Sequence, residues 1–556
     1  MHSRDGQSLV LTSMVVAILT VLGGALLGEG LTAANHLRIT QLQTEAFYLA
    51  QGAVEEATGQ FVAALRNYQI TATETKYPAV GTLTTTFAPS ARFPVGATAS
   101  SVVTEIQPGQ TTVTAPDGVQ ELRKVYEIVT TVQHPLNAGV QARLHQMITR
   151  TIRYTFQHAI FYDQDLEWLP GPNMTLTGRV HSNRDIYLGA NSTLTADTTY
   201  LKAAGNLYNR RKDNGASMPG TVQIRKTGTS GACDATTCPA VAGLDSSSST
   251  WANDATTRWN GTVQTSAHGV TALEAPEVGS ITPGGYYDGQ ASLHILNGTV
   301  TENGTPLTEG PPGVGNMPVG TVATTTSLYN NREGKWVKMT EIDLKKLAGW
   351  ADCDSNPGTP DTQCYTNHLP SNGLVYATRD DVAATYQPGV RLTNGTEIYR
   401  AGGLTLVTNL PMYIKGDYNT VNKKPTAVMA DAVNLLSNGW NDSKSNQSLS
   451  NRVASNTTVN TAFLAGIDPT AGSQYSGGLE NYPRLHETWS GKTITIRGSF
   501  VSLWNSQIAL GNWVYGAPQY NAPTRNWDYD TSFSTGQLPP FTPWAVGIID
   551  GAWWKE

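Results

Sequence analysis

Three acidic residues alternate at Asp163, Asp165 and Glu167 in FYDQDLEW, the spacing that sets carboxylates on one face of a strand. A pair of carboxylates facing one sugar is the arrangement that cleaves glycosidic bonds. No His, Arg or second acidic cluster can be tied to these three, so the wet face of a strand is the better reading. Oxygen ligands also alternate at Asp352, Asp354 and Asn356 in DCDSNPGTPD, with Asp361 beyond them, as a calcium loop requires. The twelve-residue calcium loop wants Gly sixth and an acidic residue twelfth, where this chain has Pro357 and Gln363. No cofactor is expected, with calcium at this loop as a candidate set against a plain closed loop. The ten His are scattered, with no HExxH, no G-x-S-x-G and no G-x-x-x-x-G-K-[ST], and His181 and His486 read as turn or packing residues. Seven of the 13 Trp fall at 489, 504, 513, 527, 544, 553 and 554, where closing a core or capping an open edge is the expected use. The chain is not expected to be an enzyme.

The elements that would carry such residues begin with a long apolar run. Residues 9–28 (LVLTSMVVAILTVLGGALLG) hold no charge, and as a helix they span about 30 Å, the thickness of a bilayer core. The apolar part of a secretory signal peptide is shorter, at about 7–15 residues. A plain membrane anchor and an atypical cleaved signal are the alternatives. Beyond the run, Leu31, Ala34, Ile39, Leu42, Ala46, Leu49, Ala53, Ala57, Phe61 and Leu65 recur at helical spacing with no Pro up to residue 68. One rod is predicted over residues 7–68, apolar all round in its first half and amphipathic in its second.

After the rod, KVYEIVTTVQ (residues 124–133) and QARLHQMITRTIRYTFQHAIFY (residues 141–162) alternate as strands of an antiparallel sheet packed on the second half of the helix. From about residue 170, short apolar runs ending in Asn or Gly suit either a β-solenoid or an irregular β-sandwich, although no fixed period emerges. The fold class expected is α+β: a long N-terminal helix followed by a mainly-β region. Residues 205–254 and 303–320 read as mobile loops, and residues 340–349 as a short helix capped at Thr340. Asn297-Gly298, Asn303-Gly304, Asn394-Gly395 and Asn438-Gly439 signal tight turns. The tail QLPPFTPWAVGIIDGAWWKE reads as an extended segment docked over the head.

With a short leader ending in Gly6, the apolar helix from Leu9 and the segment AFYLAQGAVEEA (residues 46–57), the chain resembles type IV pilin-like proteins, and most closely the PilX-like minor pilins. The resemblance implies removal of residues 1–6 by a prepilin peptidase between Gly6 and Gln7, with methylation of the new terminus. Leu9, Val10, Leu11, Val15, Val16, Ile18, Leu19, Val21, Leu22, Leu26 and Leu27 would then form the membrane and assembly surface. Leu11 stands at the fifth mature position, where most pilins carry Glu, and its presence fits a tip or low-copy subunit. Gln51 likewise stands where the family commonly has Glu. Stretches similar to GRVHSN and YIKGDYN occur in large surface proteins with PilX-like termini.

The implied organisation is a leader (1–6), a transmembrane and assembly helix (7–68), a pilin-like antiparallel sheet (69–169) and a β-rich head (170–556). Implied partners are other pilins, the assembly platform, the peptidase, the inner membrane, and a tip adhesin or surface glycan. The implied location is the bacterial inner membrane with the head in the periplasm, and then the pilus or cell surface. A membrane-anchored adhesin outside pili and a polysaccharide-acting β-solenoid enzyme are the competing readings. In an exported chain the local pairs Cys233 with Cys238 and Cys353 with Cys364 read as two loop-closing disulfides, with a shared zinc site or free thiols as the alternatives.

Composition agrees with this picture. The 556 residues carry 37 Lys plus Arg against 43 Asp plus Glu, a net charge of −6 and a charged fraction of 14%, without the basic stripe of a nucleic-acid binder. Hydrophobic content of 39% excludes global disorder, and the heavy use of Thr and Gly favours strands and turns.

Overall fold

The computed structural model describes residues 4–66, 81–106, 111–115, 118–313, 315–351, 353, 361–514 and 519–556. The fold is α+β. One long helix, Arg4–Arg66, is followed by an antiparallel sheet and then by a long stack of short, mainly parallel strands.

The antiparallel sheet is built on two long strands, Gln120–His134 and Asn137–Tyr154, whose alternating patterns put Tyr126, Ile128, Val132, Leu144 and Ile148 against the helix. Strands Thr82–Phe87 and Ala97–Glu105 extend it on one side. On the other side its edge is the C-terminal strand Trp544–Lys555, antiparallel to Asn137–Tyr154. The tail thus divides: residues 537–543 dock on the head, where Leu538 and Phe541 pack on its core and Thr405 Oγ1 donates to Pro540 O, and Trp544–Lys555 is a sheet strand. Pro543 ends the extended stretch, and from Trp544 onward no Pro interrupts the backbone donors that a ladder needs.

The head is a solenoid. Ile160–Tyr162, Val180–Ser182, Leu201–Ala203 and Val263–Gln264 stack in parallel along one side. Leu166–Trp168, Ile186–Leu188 and Leu207–Tyr208 form a second side, and Met174–Thr177, Thr193–Asp197 and Thr221–Ile224 a third. The chain then passes to the far end and winds back through Leu293–Leu296, Leu374–Thr378, Leu404–Val407, Thr426–Ala430, Ala462–Ala465 and Thr493–Ser502. The last of these closes onto the first coil through Phe500 and Ile160.

The winding is continuous although the chain order is not. In register, Leu293, Val375, Leu406, Val428, Phe463, Phe500, Ile160, Val180, Leu201 and Val263 form one buried ladder, about 43 Å long at strand spacing. The seam lies in mid-stack. There the Thr493–Ser502 strand changes partners, from Thr457–Val459 to Ala462–Ala465. Gly498 sits at the change because a Cβ there would lie 1.8 Å from the Thr461 carbonyl oxygen. The chain also enters and leaves the solenoid at one place, where Thr155 N donates to Pro543 O at 2.9 Å.

Three local expectations are corrected. Residues 205–254 are ordered, because Leu207, Val222, Ile224, Val241 and Trp251 are buried in the solenoid core and the Ser/Gly/Thr stretches only link them. Residues 303–320 carry the strands Thr305–Glu309 and Asn316–Met317. The short helix is only Leu344–Leu347, capped by the Asp343 side chain accepting from Lys346 N at 3.0 Å, since Thr340 ends up inside the strand Lys335–Asp343. Asn297-Gly298 and Asn303-Gly304 are two-residue hairpin turns with φ of 56° and 92°, and 48° and 80°. The pairs at 394 and 438 lie between strands that pair only in parallel, so they form no hairpin.

Candidate functional site

Among the described residues, the first half of the helix packs against no other element. Leu9, Val10, Leu11, Val15, Val16, Ile18, Leu19, Val21, Leu22, Leu26 and Leu27 are all exposed, from 48% at Val15 to 76% at Leu9. The helix from Ser8 contains an 18-residue window of mean hydropathy 2.4, none of it buried, long and apolar enough to cross a membrane. Its few hydroxyls are satisfied within the helix: Thr12 Oγ1 donates to Ser8 O, and Thr20 Oγ1 to Val16 O, each at 2.7 Å. A surface so built presents no unmet hydrogen bond to an apolar surrounding, whether lipid or a neighbouring helix. Gly6 and Gln7 lie in the first turns of the same helix.

The second half is held firmly. Leu42, Ala46, Leu49, Ala50, Ala53, Val54, Ala57, Phe61 and Leu65 bury against the sheet, the alanines letting the two backbones approach. Phe61 meets Tyr126 edge-on at 4.9 Å between ring centres. Glu45 acts as a latch. Its carboxylate accepts from Arg92 Nε and Nη2 at 3.0 Å and pairs with His134 Nε2 at 2.9 Å. The Arg92 hydrogen bond holds the Glu45 carboxyl down at about 2. Phe47 lies 6.3 Å from Trp553, so the C-terminal strand also reaches the helix.

The structure separates the other candidates. Asp163, Asp165 and Glu167 do not share a strand face, because the chain bends between Ile160–Tyr162 and Leu166–Trp168. Asp163 accepts from Asn183 Nδ2 at 2.7 Å, and Asp165 pairs with Lys212 at 2.7 Å and accepts from Asp185 N at 3.0 Å. Glu167 is buried and accepts from Thr470 and Ser476. His181 stacks on Phe161 at 5.0 Å, and His486 bonds Asn434 at 2.8 Å, so both are packing residues.

Asp352, Asp354 and Asn356 lie outside the described residues, and Asp361 pairs with Lys345. Among the described residues no group of three or more His, Cys, Asp or Glu could hold a metal ion. Cys233 is joined to Cys238 and Cys353 to Cys364, with Cα separations of 5.2 and 6.2 Å. Trp489, Trp504 and Trp527 are buried in the solenoid core, whereas Trp553 and Trp554 stay exposed on the C-terminal strand.

One buried group beside the carboxylate cluster escaped the sequence reading. Glu480 is enclosed, and desolvation pushes its carboxyl up to about 7 despite Arg525 nearby and hydrogen bonds from Leu169 N (3.3 Å) and Tyr475 Oη (3.2 Å). The folded state therefore holds a proton at Glu480 that the unfolded chain releases near its ordinary value of 4.5. The stability that Glu480 contributes should be lost as pH rises from 4.5 through about 7. Glu480→Gln removes this contribution. In urea unfolding followed at several pH values, the variant should gain on wild type by on the order of 3 kcal/mol between pH ~4.5 and ~8. A difference flat in pH would contradict the assignment.

No protein-family model and no curated protein matches the chain. Among solved structures, the competence-associated pilin ComZ from Thermus thermophilus matches over 93% of this chain and 98% of its own, at 11% identity and a TM-score of 0.26. At that identity and score the likeness carries no argument about fold or function.

Proposed function

We propose that this chain is a pilin-like structural subunit, a PilX-like minor pilin, held in the bacterial inner membrane by its N-terminal helix before assembly into a filament. The observation that carries the reading is the division of one helix at about Ile39 into a bare apolar half and a docked half. A rod built this way can leave lipid and bury its free half among neighbouring helices while the solenoid head stays outside. Its partners on this reading are other pilins and the assembly platform, and the head serves adhesion or binding of tip proteins. Leu11, 68% exposed, offers no carboxylate to a neighbouring subunit's terminus, which favours a tip or low-copy position over the shaft.

The same bare helix would serve a membrane-anchored adhesin that never enters a pilus. Processing separates the two. Mass spectrometry of the mature chain should find it beginning at Gln7 with a methylated terminus, and Gly6→Leu should leave the six-residue leader in place. A mature chain that begins at Met1 supports the plain anchor instead.

A further inference from the structure

At the waist, where the chain enters and leaves the solenoid, a cavity of about 640 Å³ opens between the antiparallel sheet and the head. Tyr154, Tyr286, Phe541 and Trp544 supply its aromatic wall, with Gln120 and Thr112 beside them. All four rings are only partly buried, although the segments bearing them are pinned. Thr155 N holds Pro543 O at 2.9 Å, and Thr542 Oγ1 holds Pro539 O at 2.6 Å. Phe541 adopts φ of +53°, a left-handed conformation that costs a bulky side chain about 1–3 kcal/mol and tends to persist at ligand clamps. Among the described residues none of the lining side chains is Asp, Glu, Lys, Arg or His.

We infer that this cavity is a binding site for a neutral saccharide. A sugar ring has apolar C–H faces and a hydroxyl edge, and it is matched by aromatic faces beside amide and hydroxyl groups. Tyr286 and Trp544 stand at 87° to one another with centres 6.1 Å apart. Rings set at right angles receive a compact ring on one face. They suit an extended proline-rich chain, which lies across parallel aromatic ridges, less well. A volume of this size holds a ligand larger than a single sugar unit. The absence of charge on the wall disfavours acidic glycans, which would be desolvated there without a counter-charge. The inference does not depend on assembly, because binding is read on dispersed protein and its failure leaves the helix argument untouched.

The test uses the full chain in a detergent without a sugar headgroup. Maltotriose and triacetylchitotriose are titrated against intrinsic tryptophan fluorescence and saturation-transfer NMR, with trigalacturonate and hexaproline as competitors. At least one neutral trisaccharide should bind saturably. Tyr286→Ala should weaken it about tenfold. Thr535→Trp, at an exposed lining position, should block it without altering the melting temperature, and Trp553→Ala, outside the cavity, should leave it unchanged. The proposal is overturned if neither neutral sugar saturates, if binding survives both cavity variants, or if trigalacturonate or hexaproline binds more tightly than both.

Discussion

On the proposed function, changing Leu19 and Leu22 together to Lys should empty the membrane fraction of this chain. The two residues are 63% and 54% exposed, lie three apart on one helix face, and belong to no core cluster among the described residues. A charged side chain at the centre of a spanning helix costs about 2.5–3.5 kcal/mol on insertion scales. Two together come to about 6 kcal/mol, a shift of roughly four orders of magnitude in partition. Because the free half of the helix carries none of the core, the head should keep its melting temperature. Fractionation of cells and a melt of the purified variant check both halves of the expectation. Retention in the membrane at wild-type level would mean that this segment is not what holds the chain there.

The second large effect is expected at the seam of the solenoid. Phe500 pairs in register with Phe463 on one side and Ile160 on the other, and so joins coils whose chain positions differ by more than three hundred residues. Its ring stacks on Trp527 at 5.2 Å and meets Tyr482 edge-on at 5.8 Å, and the residue is 1% exposed. Phe500→Ala should cost on the order of 3–5 kcal/mol through the cavity left behind. It should also split denaturant unfolding into two steps, as the coils from Ile160 onward lose their contact with those before Phe500. Full cooperativity with a loss below ~1 kcal/mol would show that the seam does not bind the two runs together.

What could be read from the residues follows the range of the interactions. The helix was legible because its cause is local: no charge over residues 9–28, then apolar residues at helical spacing that meet the sheet. Strands Gln120–His134 and Asn137–Tyr154 were legible from alternation alone. The solenoid period was present, in Ile160, Val180 and Leu201 and again in Leu166, Ile186 and Leu207, at steps of 20 and 21 residues. It was obscured because the next coil widens from Leu207 to Val263 around a disulfide-closed insertion. The neighbour of Ile160 on its other side is Phe500, which no local pattern can reveal. The apparent strand face of Asp163, Asp165 and Glu167 failed for the opposite reason, since alternation spacing was read across a bend. The pairing of the C-terminal strand with residues 144–154 is a contact between chain ends, and the prolines before it point only to extended backbone.

On the proposed function, the bare half of the helix exchanges lipid for neighbouring subunits. A photo-crosslinking amino acid at position 16 of the full chain, activated in intact cells and followed into the filaments sheared from them, tests it directly. Adducts between this helix and the helices of other filament subunits are expected in the sheared fraction, with lipid adducts confined to the membrane. Recovery of the chain only in membranes, linked to lipid and never to another subunit, would contradict it.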